Sequence, residues 1–279
     1  MHPNAPQAKN RAALKNARYS YTAMQLPVFN IITEAIGDTW EHRRDFAAYA
    51  FLPILVVSII GTLMSAVIGD VRIIINDPTQ VPPEVMMRMF FGTVVNWLTS
   101  FALYTLFAVA WHRRILVGPE ATVGAALRWD RRQWRFFRRL VVLIIILMVL
   151  MFLLAFLLLA VSPIAPVLSA LPIVMGLIYA RVALILPATA TDTPMTVAES
   201  AKLTHGNSWR MFLAIVLLPL VVVLIGGLVV LILAAPLTDI IGSSMTAWFL
   251  VSLVAQTVNY IGFAAGITAL SLAYRQLTA

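Results

Sequence analysis

Six long apolar runs restrict what this chain can fold into more than any other feature. They cover about 46–69, 89–111, 140–161, 167–187, 211–235 and 247–271. A hydrocarbon core about 30 Å thick is crossed by roughly 20 residues of helix. In lipid the backbone has to satisfy its own N–H and C=O groups, so each run must be helical. Charged side chains are nearly absent from the runs, and Arg181, near the end of the fourth, is the main departure. The 279 residues are 61% hydrophobic and 11% charged, against about 25% charged in a soluble domain. The expected fold class is therefore all-α, a polytopic bundle of six transmembrane helices. The first 45 residues are polar and cationic, too long and too polar before an apolar run for a cleaved signal peptide.

The cations orient the bundle. With the N-terminus cytoplasmic, every Lys and Arg except Arg72 and Arg88 falls on the inner side. The positive-inside rule then places both termini in the cytoplasm. It accounts for the net charge of +8 without nucleic acid, and in a bacterium the membrane would be the inner one. No cysteine is present, which excludes disulfides, thiolate metal sites and cysteine nucleophiles.

An internal repeat runs through the chain. IGDTWEHRRDFAAYAFLPILVV (36–57), LRWDRRQWRFFRRLVV (127–142) and LTHGNSWRMFLAIVLLPLVV (203–222) align with Arg44, Arg135 and Arg210 in register. Phe46, Phe137 and Phe212 then coincide, as do Pro53 and Pro219. The even runs match as well: TVVNW holds Asn96 and TVNY holds Asn259, and each run ends on an aromatic followed by arginine. This predicts a polar segment over 1–29 and a membrane domain over 30–279. Three units of about 30–116, 119–188 and 194–275 follow, each an interfacial amphipathic helix plus a hairpin. All three start on one side, so they are parallel rather than inverted repeats.

Helices in lipid associate through small and polar side chains. The third run has none but Ala and is expected to face lipid. The sixth carries Ser252, Gln256, Thr257, Asn259 and a GxxxG at Gly262–Gly266; the second carries Asn96 and Ser100; the first has Gly61 and Ser65. The first, second and sixth spans are expected to meet inside, with Asn96, Gln256 and Asn259 facing the interior.

LTHGNSWRMF (203–212) reads as the corner where the chain enters the membrane. Thr196 and Glu199 form a T-x-x-E capping box, and Gly206 suits the left-handed residue that closes that helix. Asn207 or Ser208 can cap the fifth span, Trp209 suits headgroup depth, and Arg210 can snorkel to phosphate. The pattern L-T-x-G-N-x-W-R-x-F before a span, in a six-span chain, resembles YciC-like bacterial inner-membrane proteins. It also resembles the membrane domain fused to some glycerophosphodiester phosphodiesterases. The resemblance is clearest over 179–222 and implies six membrane helices and no established chemistry. No soluble phosphodiesterase domain is present, so no hydrolase activity carries over.

No catalytic constellation is visible. His2, His42, His112 and His205 show no metal-ligand spacing. Ser243 and Ser244 sit beside Gly242, but all four histidines lie on the opposite side, which excludes an intramembrane serine protease. The acidic residues fall in loops, interfaces and span ends, which counts against an ion-coupled pump. No catalytic, metal or cofactor residue is expected, and the protein is read as non-enzymatic.

The candidate binding residues are cationic. Arg113, Arg181 and Arg275 end equivalent spans, and Arg210 enters the fifth. Arg181, followed by VALILP, is expected to be partly buried and to need Glu34, Asp38, Glu199 or a phosphate as partner. Convergence of these arginines would make an anionic phospholipid site. RWDRRQWRFFRR (128–139) reads as a separate interfacial helix gripping anionic lipid. The leading expectation is a scaffold, assembly factor or accessory subunit contacting lipid or another membrane protein. The alternative is a transporter or lipid translocase, which a central cavity lined by Asn96, Gln256 and Asn259 would support.

Overall fold

In the computed structural model the described residues are 25–68, 82–161, 170–237 and 244–279, with the side chains of 65–68 and 159–161 set aside. The segment 1–24, with its six-cation cluster in part, and Arg72, Ser243 and the side chain of Ser65 lie outside them. The described residues are helical, with no strand among them.

A short helix α1 (Val28–Glu41) leads into α2 (Arg43–Ile68), and α3 (Pro83–Leu116) returns. A one-turn helix α4 (Val123–Ala126) precedes α5 (Arg131–Val161), followed by α6 (Leu171–Val182) and α7 (Ile185–Ala190). Next come α8 (Val197–Leu203), α9 (Ser208–Phe212), a π-helical turn over Leu213–Leu217, α10 (Leu218–Ala234) and α11 (Met245–Thr278). Five stretches are long and apolar enough to cross a membrane: Arg43–Met64, Pro83–Leu116, Arg131–Leu158, Ser208–Leu237 and Met245–Thr278.

The fourth run departs from the expected continuous span over 167–187. Its described helix, α6, has 12 residues and stops before Ala183. Pro187 supplies the reason: its ring collides with the carbonyl four residues back, which is that of Ala183. The chain restarts as α7, with Leu186 N–H donating to Ala183 O at 3.0 Å. Residues 128–139 likewise differ from expectation. They do not form a separate interfacial helix: α5 runs unbroken from Arg131 into the apolar run, because nothing between Arg139 and Leu140 breaks a helix. Asp130 starts it, its Oδ1 accepting from Arg132 N–H at 2.7 Å.

The long helix α11 is the hub, packing against α10, α2, α1 and α3, while α2 and α3 pack on each other. The first, second and sixth spans therefore do meet, with Gly61 facing Ser252 across the α2–α11 contact. The GxxxG serves a different neighbour. A Cβ on Gly262 would come within 2.6 Å of Val223 and 3.2 Å of the Pro219 carbonyl, and one on Gly266 within 3.1 Å of the Pro219 ring. These two glycines seat the fifth span rather than the first or second. Pro219 also lies just after the π-helical turn, where Leu218 N–H donates to Leu213 O, one residue beyond the α-helical partner. The third span is mostly exposed, as its lack of small and polar residues predicts.

The densest burial lies at the arginine-bearing ends of the helices. Trp111 is fully buried; its indole N–H donates to Thr268 Oγ1 at 2.9 Å and Ala264 O at 3.2 Å. Phe46, Tyr49 and Phe107 pack around its ring. The next residue, His112, meets the same wall of α11: its Nδ1 lies 2.8 Å from Ser271 Oγ.

Candidate functional site

The corner at 203–212 forms as its residues dictate, with one reassignment. Thr196 Oγ1 accepts from Glu199 N–H at 3.2 Å, and Glu199 Oε2 accepts from Thr196 N–H at 2.7 Å. The bonds from Thr196, backbone first, hold the Glu199 carboxyl below its usual range. Gly206 adopts φ +80°. Asn207 precedes α9 but makes no capping bond there. Its buried Oδ1 instead accepts from Leu26 N–H at 3.0 Å, tying in a segment 181 residues away. Capping needs only a local acceptor, whereas a buried backbone N–H needs any acceptor within reach. Trp209 is exposed and stacks on Phe212, and Arg210 donates to Gln25 Oε1 at 2.7 Å.

The arginines do not share a partner. Arg113 bonds Glu120 at 2.8 Å and approaches Asp192 at 4.0 Å. Arg275 pairs with Glu34 at 3.0 Å. Arg181 is exposed rather than partly buried, and has no ion pair among the described residues. Glu34 is already held by Arg275, and Glu199 by its own helix start. What the end of α6 offers instead is its backbone: the Arg181 carbonyl accepts from Ser200 and Thr204 hydroxyls at 2.9 and 3.0 Å. Beyond the break Ala183–Pro187 are buried, while Arg181 stays at the surface.

The real cationic cluster centres on Asp192, a residue sequence reasoning left among the loop acids. Its carboxylate takes Arg132 at 2.8 Å and Arg135 at 2.5 Å. Burial pushes the Asp192 carboxyl up, but the bonds and charges of Arg132 and Arg135 outweigh it and hold it below the usual range. Arg139 donates nearby to Thr189 Oγ1 at 2.8 Å. These arginines fasten the start of α5 to the end of α7. On α1, Asp38, Glu41 and His42 place ligand atoms within 4.8 Å of one another on a largely exposed face. Ser244 has an ordinary role, its Oγ capping α11 by accepting from Ala247 N–H at 3.3 Å.

The three interior amides come together. Asn96 on α3 and Gln256 and Asn259 on α11 line one cavity of about 510 Å³. Ser100, Tyr104, Tyr179 and Tyr260 add hydroxyls; Trp97, Phe101 and Phe263 add aromatic walls; Val57, Leu140 and Ile144 close the rest. No charged side chain lines it. The helices α3 and α11 run in parallel past each other, and Asn96, Ser100 and Tyr104 recur every fourth residue, which puts them on one face. The Asn96 Oδ1 is sealed from solvent and has no hydrogen-bond partner. A buried amide left in that state costs several kcal/mol. The arrangement can hold an uncharged group that both donates and accepts hydrogen bonds, with aromatic surface around it.

Comparison with protein-family models, curated proteins and solved structures finds no match.

Proposed function

We propose that this chain is a non-enzymatic integral membrane protein that handles an uncharged amphiphile in its membrane interior, as a facilitator or lipid translocase. The observation that carries this reading is the neutral cavity, where three amides from two spans converge among aromatic and hydroxyl side chains. An ionic headgroup is disfavoured there, since an unpaired charge in a low-dielectric interior costs far more than a dipole. The arginines take a secondary part: they orient the chain, clamp carboxylates and meet anionic phospholipid at the inner surface of a bacterial inner membrane.

The same reading takes the architecture as six membrane passages in three parallel repeats with both termini cytoplasmic. A short helix before each hairpin (α1, α4 and α8) supports it, as does the cation distribution. Membership of the YciC-like group belongs to this proposal too, on the strength of the corner motif.

Native mass spectrometry of the protein released from its membrane in mild detergent tests the reading. The expected result is a copurifying uncharged amphiphile whose occupancy falls at least tenfold in Asn96→Leu/Gln256→Leu/Asn259→Leu. Leucine removes the partnerless Asn96 Oδ1 and keeps similar volume at all three positions, so the bundle itself should persist. Unchanged occupancy in that variant would refute the cavity as the site. Retention of a stoichiometric protein partner with no small molecule would establish a scaffold or accessory-subunit role instead.

A further inference from the structure

A second cavity of about 410 Å³ lies against the first. The two share Tyr104, Tyr179 and Phe263, so these rings form the partition between them. Tyr104 and Phe263 meet edge to face, with centroids 4.9 Å apart. The first cavity is lined along α3 by Asn96 to Tyr104 and the second by Tyr104 to His112. Sixteen residues of helix span about 24 Å, most of a hydrocarbon core about 30 Å thick. Along α11 the same order holds, from Gln256 through Phe263 to Leu270. The cavities therefore stand in series along the groove between two parallel spans.

Their chemistry differs. The second is walled by apolar side chains, among them Ile215 and Val216 of the π-helical turn and Pro219. Its one strongly polar non-tyrosine group is His112. Its Nδ1 lies 2.8 Å from Ser271 Oγ, so that ring nitrogen is already engaged by α11. π-Helical turns carry an irregular backbone that recurs at functional sites, and this one lines the second cavity opposite α11.

We infer that the second cavity is a further binding station for the same uncharged amphiphile, reached past the Tyr104–Tyr179–Phe263 partition. Its apolar wall takes the hydrocarbon, and the His112 ring takes a hydroxyl, which can donate or accept. The inference rests on the proposed function and adds a route: amide station, aromatic partition, histidine station.

The test uses the full chain in phospholipid vesicles with a photoactivatable monoacylglycerol, an uncharged hydroxyl-bearing amphiphile. Labelled peptides are mapped by mass spectrometry, with the lipid-facing residues Phe152 and Phe156 as the background. The wild type is expected to be labelled on α3 and α11 around the amides, and more weakly at Ile215, Val216 and Leu270. Phe263→Ala opens the partition and should raise the second-station share at least threefold. Phe263→Trp fills it and should lower that share at least threefold. First-station label with a second-station share indifferent to both variants overturns the route and leaves the proposed function standing. Label at neither station above background overturns both.

Discussion

Two adjacent glycines on α10 are expected to respond in opposite ways to the same substitution. A Cβ on Gly226 would collide with Val258 Cγ1 and stand 3.2 Å from Cγ2 and 3.3 Å from Cβ on α11. A Cβ on Gly227 would meet nothing within 4 Å. Both sit in the interior of one helix, so the helix-propensity gain of Gly→Ala, about 1 kcal/mol, is common to both. Their difference isolates the steric cost. Val258 cannot simply rotate away, since a β-branched side chain in a helix has one strongly preferred χ1 well. The helices must separate instead, and overpacking of this kind costs about 1–3 kcal/mol. Gly226→Ala should therefore be less stable than Gly227→Ala by about 1–3 kcal/mol, with Gly227→Ala at or above wild type. Adding Val258→Ala removes both Cγ atoms, and the Gly226→Ala/Val258→Ala pair should recover at least about 0.5 kcal/mol of coupling. Reversible unfolding in mixed micelles, followed by circular dichroism as the share of denaturing detergent rises, reads all four variants. Equal midpoints for the two single alanines, or no rescue by Val258→Ala, would refute the α10–α11 packing argued above.

Two further predictions concern the polar clamps. Asn207→Ala leaves the buried Leu26 N–H unpaired, a loss of about 1–3 kcal/mol; limited proteolysis should then cut before α1 in the variant sooner than in wild type, and identical cleavage would sink the assignment. Asp192 is held below its ordinary carboxyl value of 3.8 by its arginines, so its contribution is complete above that value and is lost as pH falls through the lower folded value. Stability of wild type and Asp192→Asn should differ at neutral pH and converge in acid below 3.8; a gap that persists unchanged into that acid range would show that the Arg132 and Arg135 pairs do not act through the ionised carboxylate.

Local rules in the sequence reached a good part of this molecule. T-x-x-E before an apolar run produced the Thr196–Glu199 box, and glycine at 206 took the positive φ that closes the helix. Both outcomes depend on neighbours within a few residues. The amide site was legible too, because in a lipid-spanning helix Asn96 and Asn259 have nowhere to turn except toward another helix. Predictions failed where two distant segments had to be matched. Arg181 was expected to seek a carboxylate, but Glu34 had been claimed by Arg275, 241 residues away in sequence. Asp192 looked like one loop acid among many until α5 delivered Arg132 and Arg135 to it. Two local signals were missed: the collision of Pro187 with the Ala183 carbonyl, and the lack of any helix breaker between Arg139 and Leu140.

The sequence by itself determined that the chain is helical and belongs in a membrane, and which faces of its helices are polar. Those are properties of the solvent and of residue spacing, since hydrocarbon tolerates only satisfied backbone and pushes amides inward. Only the tertiary structure decided which helices share a wall, that Gly262 and Gly266 seat Pro219, and that two cavities lie in series across three aromatic rings. Packing between helices in lipid turns on close shape fit at ångström scale rather than on hydrophobic contrast, and a pattern of apolar letters carries no record of that fit.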